Sequence, residues 1–169
     1  MAAKKKAPKA PAAKAPAKGA PAKETLPLDA VDAATLRKIE SLAKLALRSV
    51  EQGDNPALSI RTRALSNVSF NPKKRIIELG DRRQSREFFN TSMAKKFMQT
   101  FLVARGCKSL IEEQKTVSIR QMFYLSKHTL RGSQENTFDE QSESDPIIED
   151  LEVGIDALRE ELHLFANRR

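Results

Sequence analysis

TVSIRQMFYLSKHTLR, residues 116–131, is the stretch on which the reading of this chain turns, because it holds the single tyrosine. Ser118 followed three positions later by Gln121 forms a capping-box pattern, and an apolar run with helical spacing comes after it. The pattern predicts a helix reaching Arg131. At about 100° per residue, Ile119, Phe123, Ser126 and Leu130 share one side, with Met122 beside them. Arg120, Tyr124, Lys127, His128 and Arg131 then fall within an arc of about 100° on the other side. The tyrosine is expected outside the buried stripe, among three permanent cations and one imidazole.

A phenol has a pKa of about 10 and is a poor nucleophile unless its anion is favoured. Guanidinium and ammonium groups favour it, and they also attract a phosphodiester and offset charge building on its oxygens. Arg120, one turn before Tyr124, is placed to touch the same phosphate as the phenol oxygen. An amphipathic helix whose tyrosine only covers the edge of a groove fits the same spacing.

Outside this stretch the chain changes character several times. Residues 1–23 hold seven lysines, no acid and, after Met1, no large apolar side chain. Such a segment buries too little surface to offset its ordering entropy, so residues 1–25 are expected to be a disordered Lys/Ala/Pro tail. The tail supplies most of the formal charge of +8, since the remaining residues carry 23 bases against 22 acids. It suits either salt-sensitive attraction to a polyanion or simple solubilisation.

Residues 28–52 predict a helix, with Val31, Leu36, Ile39, Leu42, Ala43, Ala46 and Val50 on one face and Gly53 as its stop. This helix, within a segment 26–56, packs either on its own domain or on a partner protein. From Ala57 to Gly80 strand formers appear around Asn71-Pro72, which predicts a β-hairpin. Arg61 and Arg63, two apart, are expected on one strand face. From Leu58 to Arg131 there are 16 bases against 5 acids, a footprint compatible with nucleic acid. A long helix is predicted over residues 91–113, with Cys107 on its apolar stripe as a small core residue and Gly106 a weak point. The last helix is read from Asp145 as N-cap and Pro146 at its first position, through Phe165. The last 38 residues carry 11 acids and 3 bases, and helix-start carboxylates plus a solvated face account for them more simply than a divalent metal does.

One cysteine provides no disulfide framework and no cysteine-based zinc site. No apolar run approaches the ~18 residues that span a membrane, and the N-terminus lacks an apolar signal core, so an intracellular protein is expected. There is no phosphate-cradling glycine loop, and His128 and His163 lack zinc-ligand spacing. The fold class expected is mainly α with a small β component. Three helices, with a short link between the first two, outline a winged-helix (CAP-like) domain over residues 57–169.

Two segments resemble something more specific. TVSIRQMFYLSKHTL (116–130) and ENTFDEQSESDPIIEDLEVGIDALREELHLF (135–165) are similar to the A subunit of DNA topoisomerase VI, a type IIB topoisomerase related to the meiotic protein that makes double-strand breaks. RTRALSNVSF, IIELGD and AKKFMQTFLVA agree with the same family, so the resemblance runs from about Ile60 to Phe165. It implies that Tyr124 attacks a DNA phosphodiester and becomes joined to a 5′ end, with Arg120 positioning or neutralising the phosphate. The motif it matches is an arginine, two variable residues, an aromatic and the tyrosine: Arg120, Phe123 and Tyr124. Lys127, His128, Arg131, Arg61 and Arg63 are the expected DNA contacts. Double-stranded DNA, an ATPase B subunit that binds the ATP, and an A-subunit homodimer within an A2B2 heterotetramer are the implied partners. Residues 28–52 are the expected docking helix for the B subunit. The family's A subunit continues into a Toprim domain holding Mg2+, and that domain is expected to lie outside this sequence. A DNA-bound location follows from the same resemblance, and a non-catalytic winged-helix DNA-binding protein is the alternative.

Overall fold

The computed structural model describes residues 29–166; the expected basic tail lies outside them. Helix α1 (Ala30–Glu51) falls within the expected 28–52 and is capped by Asp29, whose Oδ1 accepts from the Ala30 amide at 2.6 Å. It stops at Gly53, whose φ of +76° suits a residue without a Cβ. Helix α2 (Thr91–Glu112) is capped by Asn90 and forms the centre of the fold. Helix α3 (Ile119–Ser126) and helix α4 (Gln141–Ile155) pack against it, and α1 adds Ile39 to the same core. Val103, Cys107 and Ile111 of α2 are fully buried, as are Met122 of α3 and Ile148 of α4. Fully burying a large aliphatic side chain contributes about 1.5–3 kcal/mol, so this shared seam dominates the stability of the helical body. The Cys107 thiol, as expected a core residue, is pushed up to about 12 by burial.

Most of the β structure is a two-stranded ribbon in two sections. Strand β1 (Ala57–Arg61) pairs antiparallel with β4 (Arg83–Glu87), and β2 (Val68–Asn71) pairs with β3 (Ile76–Leu79) between them. The expected hairpin is therefore the β2–β3 part, while β1 finds its partner beyond it. RQSRE carries no apolar side chain and gives no periodic signal; its one buried residue is Arg86. Asn67 joins the two halves. Its Nδ2 donates to the carbonyls of Thr62 (2.8 Å), Gly80 (3.2 Å) and Arg82 (3.2 Å), and its Oδ1 accepts from the Arg82 amide.

The ribbon is fixed to α4 through charge. Asp150, 7% exposed, accepts from Arg63 Nε and Nη2 at 3.2 and 2.9 Å and from Arg86 Nη2, while Glu149 pairs with Arg63 Nη1. Part of the acidity of α4 is thus neutralised by two arginines of the ribbon, which corrects the expectation of a merely solvated face. Arg61 and Arg63 do not share a strand face, because β1 ends at Arg61 and Arg63 turns onto α4.

Two helix boundaries also differ from expectation. Helix α4 starts at Gln141 rather than after Asp145, so Pro146 lies inside it, and it stops at Ile155 instead of running to Phe165. Asp156 adopts the left-handed conformation (φ 52°), and Arg159 folds back to hold Glu152 through Nε at 2.6 Å. A 3₁₀ turn (Glu160–Leu162) then leads to strand β6 (Leu164–Phe165), which pairs in parallel with β5 (Val117–Ser118). Leu162 and Leu164 occupy the core from this irregular segment. Leu158 and Phe165, which a helix continued from α4 would place on the stripe of Ile148, Leu151 and Ile155, are exposed instead.

His163 ties α1 to the seat of α3. Its Nε2 stands 3.1 Å from Asp32 Oδ1, its Nδ1 3.1 Å from the Lys115 carbonyl, and its own carbonyl accepts from the Val117 amide. Gln114 Nε2 donates to the other Asp32 oxygen at 2.7 Å, and this bond, with His163, holds the carboxyl below the ordinary value of 3.8. A carboxyl favoured as the anion in the fold adds stability that is complete above that value and is lost as pH falls through its lowered value. Asp32→Asn should therefore flatten the acid limb of a stability–pH profile below about pH 4. An unchanged acid limb in urea unfolding would refute this.

Candidate active site

Helix α3 is short, and its placement decides which way Tyr124 faces. Ser118 Oγ accepts from the Gln121 amide at 3.2 Å, so the expected N-cap is formed. Met122, with no exposed surface, meets α2 at Gly106, where an added Cβ would stand 2.9 Å from the Met122 Sδ. The weak point of α2 is thus the place where α3 comes close. Phe123 is buried beside it and meets the Phe138 ring edge-on, with centroids 6.4 Å apart. With two consecutive side chains directed inward, the helical step carries the next one out. Tyr124 is 59% exposed, its ring tilted against Phe123 at 5.2 Å between centroids. Arg120 lies one turn earlier on α3 and is also exposed.

The helix does not reach Arg131. Lys127 leaves it in an extended conformation (φ −78°, ψ 116°), so Lys127, His128 and Arg131 do not share a helical arc with Tyr124. Thr137 stops it: its hydroxyl donates to the Ser126 carbonyl at 2.7 Å and accepts from the His128 amide at 3.0 Å. Residues 127–138 instead fold into a narrow loop closed by a Thr129–Asn136 bridge, turning at Gly132 (φ +79°). Gln99 of α2 donates to the Thr137 carbonyl at 2.8 Å and anchors it. Lys127 Nζ donates to the Asp139 carbonyl at 3.0 Å and lies 5.3 Å from the Phe123 ring centroid. His128 Nδ1 faces the Ser126 carbonyl at 3.1 Å, which requires a proton on that nitrogen. Arg131 is exposed near the tip of this loop.

Of the expected cations, then, Arg120 alone shares the helix of Tyr124. Lys127, His128 and Arg131 lie on the loop that follows, Arg61 is exposed at the end of β1, and Arg63 is engaged by α4. The sequence predicts a polar loop only from Gly132, and its earlier start was missed because no glycine or proline interrupts 127–131; the signal that could have found it is Thr137 just ahead of the buried Phe138. Among the described residues no group of three or more His, Cys, Asp or Glu side chains is placed to hold a metal ion, so the implied Mg2+ has no such ligand set here. No helix among them is long and apolar enough to cross a membrane.

Tyr124 and Arg120 are thus both exposed, one turn apart on a short helix whose Met122 and Phe123 are buried. Residues 95–164, which include α3 and α4, match the family described as type IIB DNA topoisomerase. The chain is 48% identical over 134 residues to the A subunit of type 2 DNA topoisomerase 6 from Pyrococcus horikoshii, covering 79% of this chain and 35% of that protein. The protein of the same name from Hyperthermus butylicus is 35% identical over 153 residues (84% and 40%), and that from Methanothermobacter thermautotrophicus 36% over 130 (77% and 35%). The chain belongs to the family of type IIB DNA topoisomerase A subunits, those of topoisomerase VI. It spans between a third and two fifths of the length of these relatives, 35% and 40% in the first and second cases.

Proposed function

We propose that this chain is the DNA-cleaving part of an ATP-dependent type IIB topoisomerase, with Tyr124 as the nucleophile. The observation that carries the reading is the outward Tyr124 beside Arg120, inside the segment that matches the family. The phenol oxygen attacks a phosphorus of duplex DNA, a P–O bond to Tyr124 forms, and the P–O3′ bond breaks. The phenol proton leaves to an acceptor and the departing 3′ oxygen takes one up, so charge and atoms balance. The product is a 5′-phosphotyrosyl link and a free 3′ hydroxyl. That link keeps the energy of the broken one, so the 3′ hydroxyl reseals the strand by the reverse attack. Two such chains acting on opposite strands open a double-strand break for passage of another duplex.

Arg120 lowers the cost of charge building on the phosphate oxygens, a term that is large where donors are already in place. Lys127, His128, Arg131 and Arg61 supply further backbone contacts, whereas Arg63 is held by α4. The helices α2, α3 and α4, with β5 between the first two and β6 after the third, form the winged-helix module of residues 57–169. The ATP belongs to a separate B subunit in an A2B2 assembly, and the protein works inside the cell on chromosomal DNA. The exposed Leu45, Leu47 and Val50 of α1, in the segment 26–56, are the seat for that subunit.

The test is a covalent trap. Labelled duplex incubated with the complete two-subunit enzyme and then denatured should migrate with this chain; label that stays free identifies a DNA-binding protein without chemistry. Arg120→Ala should lower the cleavage rate by about 10²–10³-fold with the fold intact, as loss of one transition-state donor does. A rate within about twofold of the parent's, measured in single turnover, would remove Arg120 from the reaction.

A further inference from the structure

The β2–β3 hairpin has no part in the reaction just described, and neither of its faces is covered. Register places Val68, Phe70, Ile77 and Leu79 on one face, with Phe70 opposite Ile77 near the tip. Phe70 is 63% and Ile77 74% exposed, although a two-stranded hairpin is marginal in water without an apolar face to bury. The arm is nevertheless well braced. Asn67 fixes its base to three carbonyls. At the tip, Asn71 Oδ1 accepts from the amides of Lys73 and Lys74 at 3.1 and 3.2 Å, while Glu78 is held by Asn71 and Lys74.

The charge on this arm indicates what would cover it. From Leu65 to Arg83 it carries Lys73, Lys74, Arg75, Arg82 and Arg83 against Glu78 and Asp81, five cations to two anions. Among the described residues Lys73 and Arg75 form no ion pair and sit at the turn, next to Pro72 and the Phe70–Ile77 pair. An apolar pair with two unpaired cations at the adjoining turn suits a polyanion whose interior is apolar. Duplex DNA meets that description: phosphates line its minor groove, and stacked base steps accept Phe or Ile wedges at the cost of a bend.

We propose that the β2–β3 hairpin is a DNA-bending arm, in which Lys73 and Arg75 hold phosphates across the minor groove while Phe70 and Ile77 wedge against a base step. It rests on the reading above only in taking duplex DNA as the ligand, and its readout needs no cleavage. The probe is a short duplex with a fluorophore at each end, titrated with the full chain at several salt concentrations. Lys73→Gln with Arg75→Asn, the latter suited to the left-handed φ of 55° at that position, should lower the slope of log affinity against log salt by about 2, one for each lost phosphate contact. Phe70→Ser with Ile77→Ser should leave that slope unchanged and return the end-to-end transfer efficiency to that of free duplex. Parental slope and bending in both variants would overturn the proposal and leave the apolar face to a protein partner. Adduct formation by the complete enzyme with arm variants that bind like the parent sinks the arm alone. Altered binding without any adduct from the parent sinks the cleavage reading alone.

Discussion

Tyr124→Phe in the complete two-subunit enzyme should abolish both the denaturation-resistant DNA adduct and supercoil relaxation, while duplex affinity changes by less than about twofold. The expectation is that large because, in the proposed reaction, the removed oxygen is the atom that forms the new bond. Phe123, its neighbour, has no hydroxyl, and no second tyrosine exists in the chain. Binding should survive because the ring is exposed and leaves the core as it was. In the proposed complex the phosphate contacts come from cations, which carry most of the affinity. Gel mobility under denaturing conditions, with anisotropy on the same sample, separates the two effects. Relaxation persisting in this variant would show that some other group attacks the phosphate.

Asp150→Ala should cost about 3–5 kcal/mol of unfolding free energy, the range for breaking a buried ion pair by removal of one partner. The carboxylate is shared by Arg63 and Arg86, and Arg86 is itself buried with Nη1 lacking any partner. Deleting the anion leaves the Arg86 guanidinium in low dielectric without compensation. The reciprocal change is expected to be milder. Arg86→Met removes a buried charge and an unsatisfied nitrogen together, and Asp150 keeps Arg63. Denaturant midpoints of the two variants test this ordering, and equal losses would show that Asp150 is not the shared centre of the clamp. The loosened ribbon should also show faster amide exchange in β1 and β4, which lie in Ala57–Arg61 and Arg83–Glu87.

The difference between the two halves of residues 116–131 shows what a sequence can and cannot convey. Ser118, Met122, Phe123 and Tyr124 lie within about two turns, where local geometry leaves little choice: two inward side chains fix the third outward. Beyond Ser126 the same periodicity continues on paper through Leu130, but Thr137 competes for the last carbonyl of the helix and wins. That partner is eleven residues away and invisible to a local window. Arg63 and Arg86 illustrate the same limit, since their carboxylate lies 87 and 64 positions distant. Leu162 is buried as a continued α4 would have it, but Leu158 and Phe165 are exposed and Leu164 is buried in their stead, because the irregular backbone after Ile155 turns other side chains inward.

By itself the amino-acid sequence determined the helices α1 and α2, the cap and facing of α3, the burial of Cys107, and the outward position of the tyrosine, all of which depend on contacts within a few turns. Tertiary structure alone decided the end of α3, the separation of Lys127, His128 and Arg131 from the helix of Tyr124, the capture of Arg63 by α4, and the β1–β4 pairing. Each of these rests on a hydrogen bond or ion pair between groups distant along the chain, and such pairs arise only when the folded core brings their backbones together.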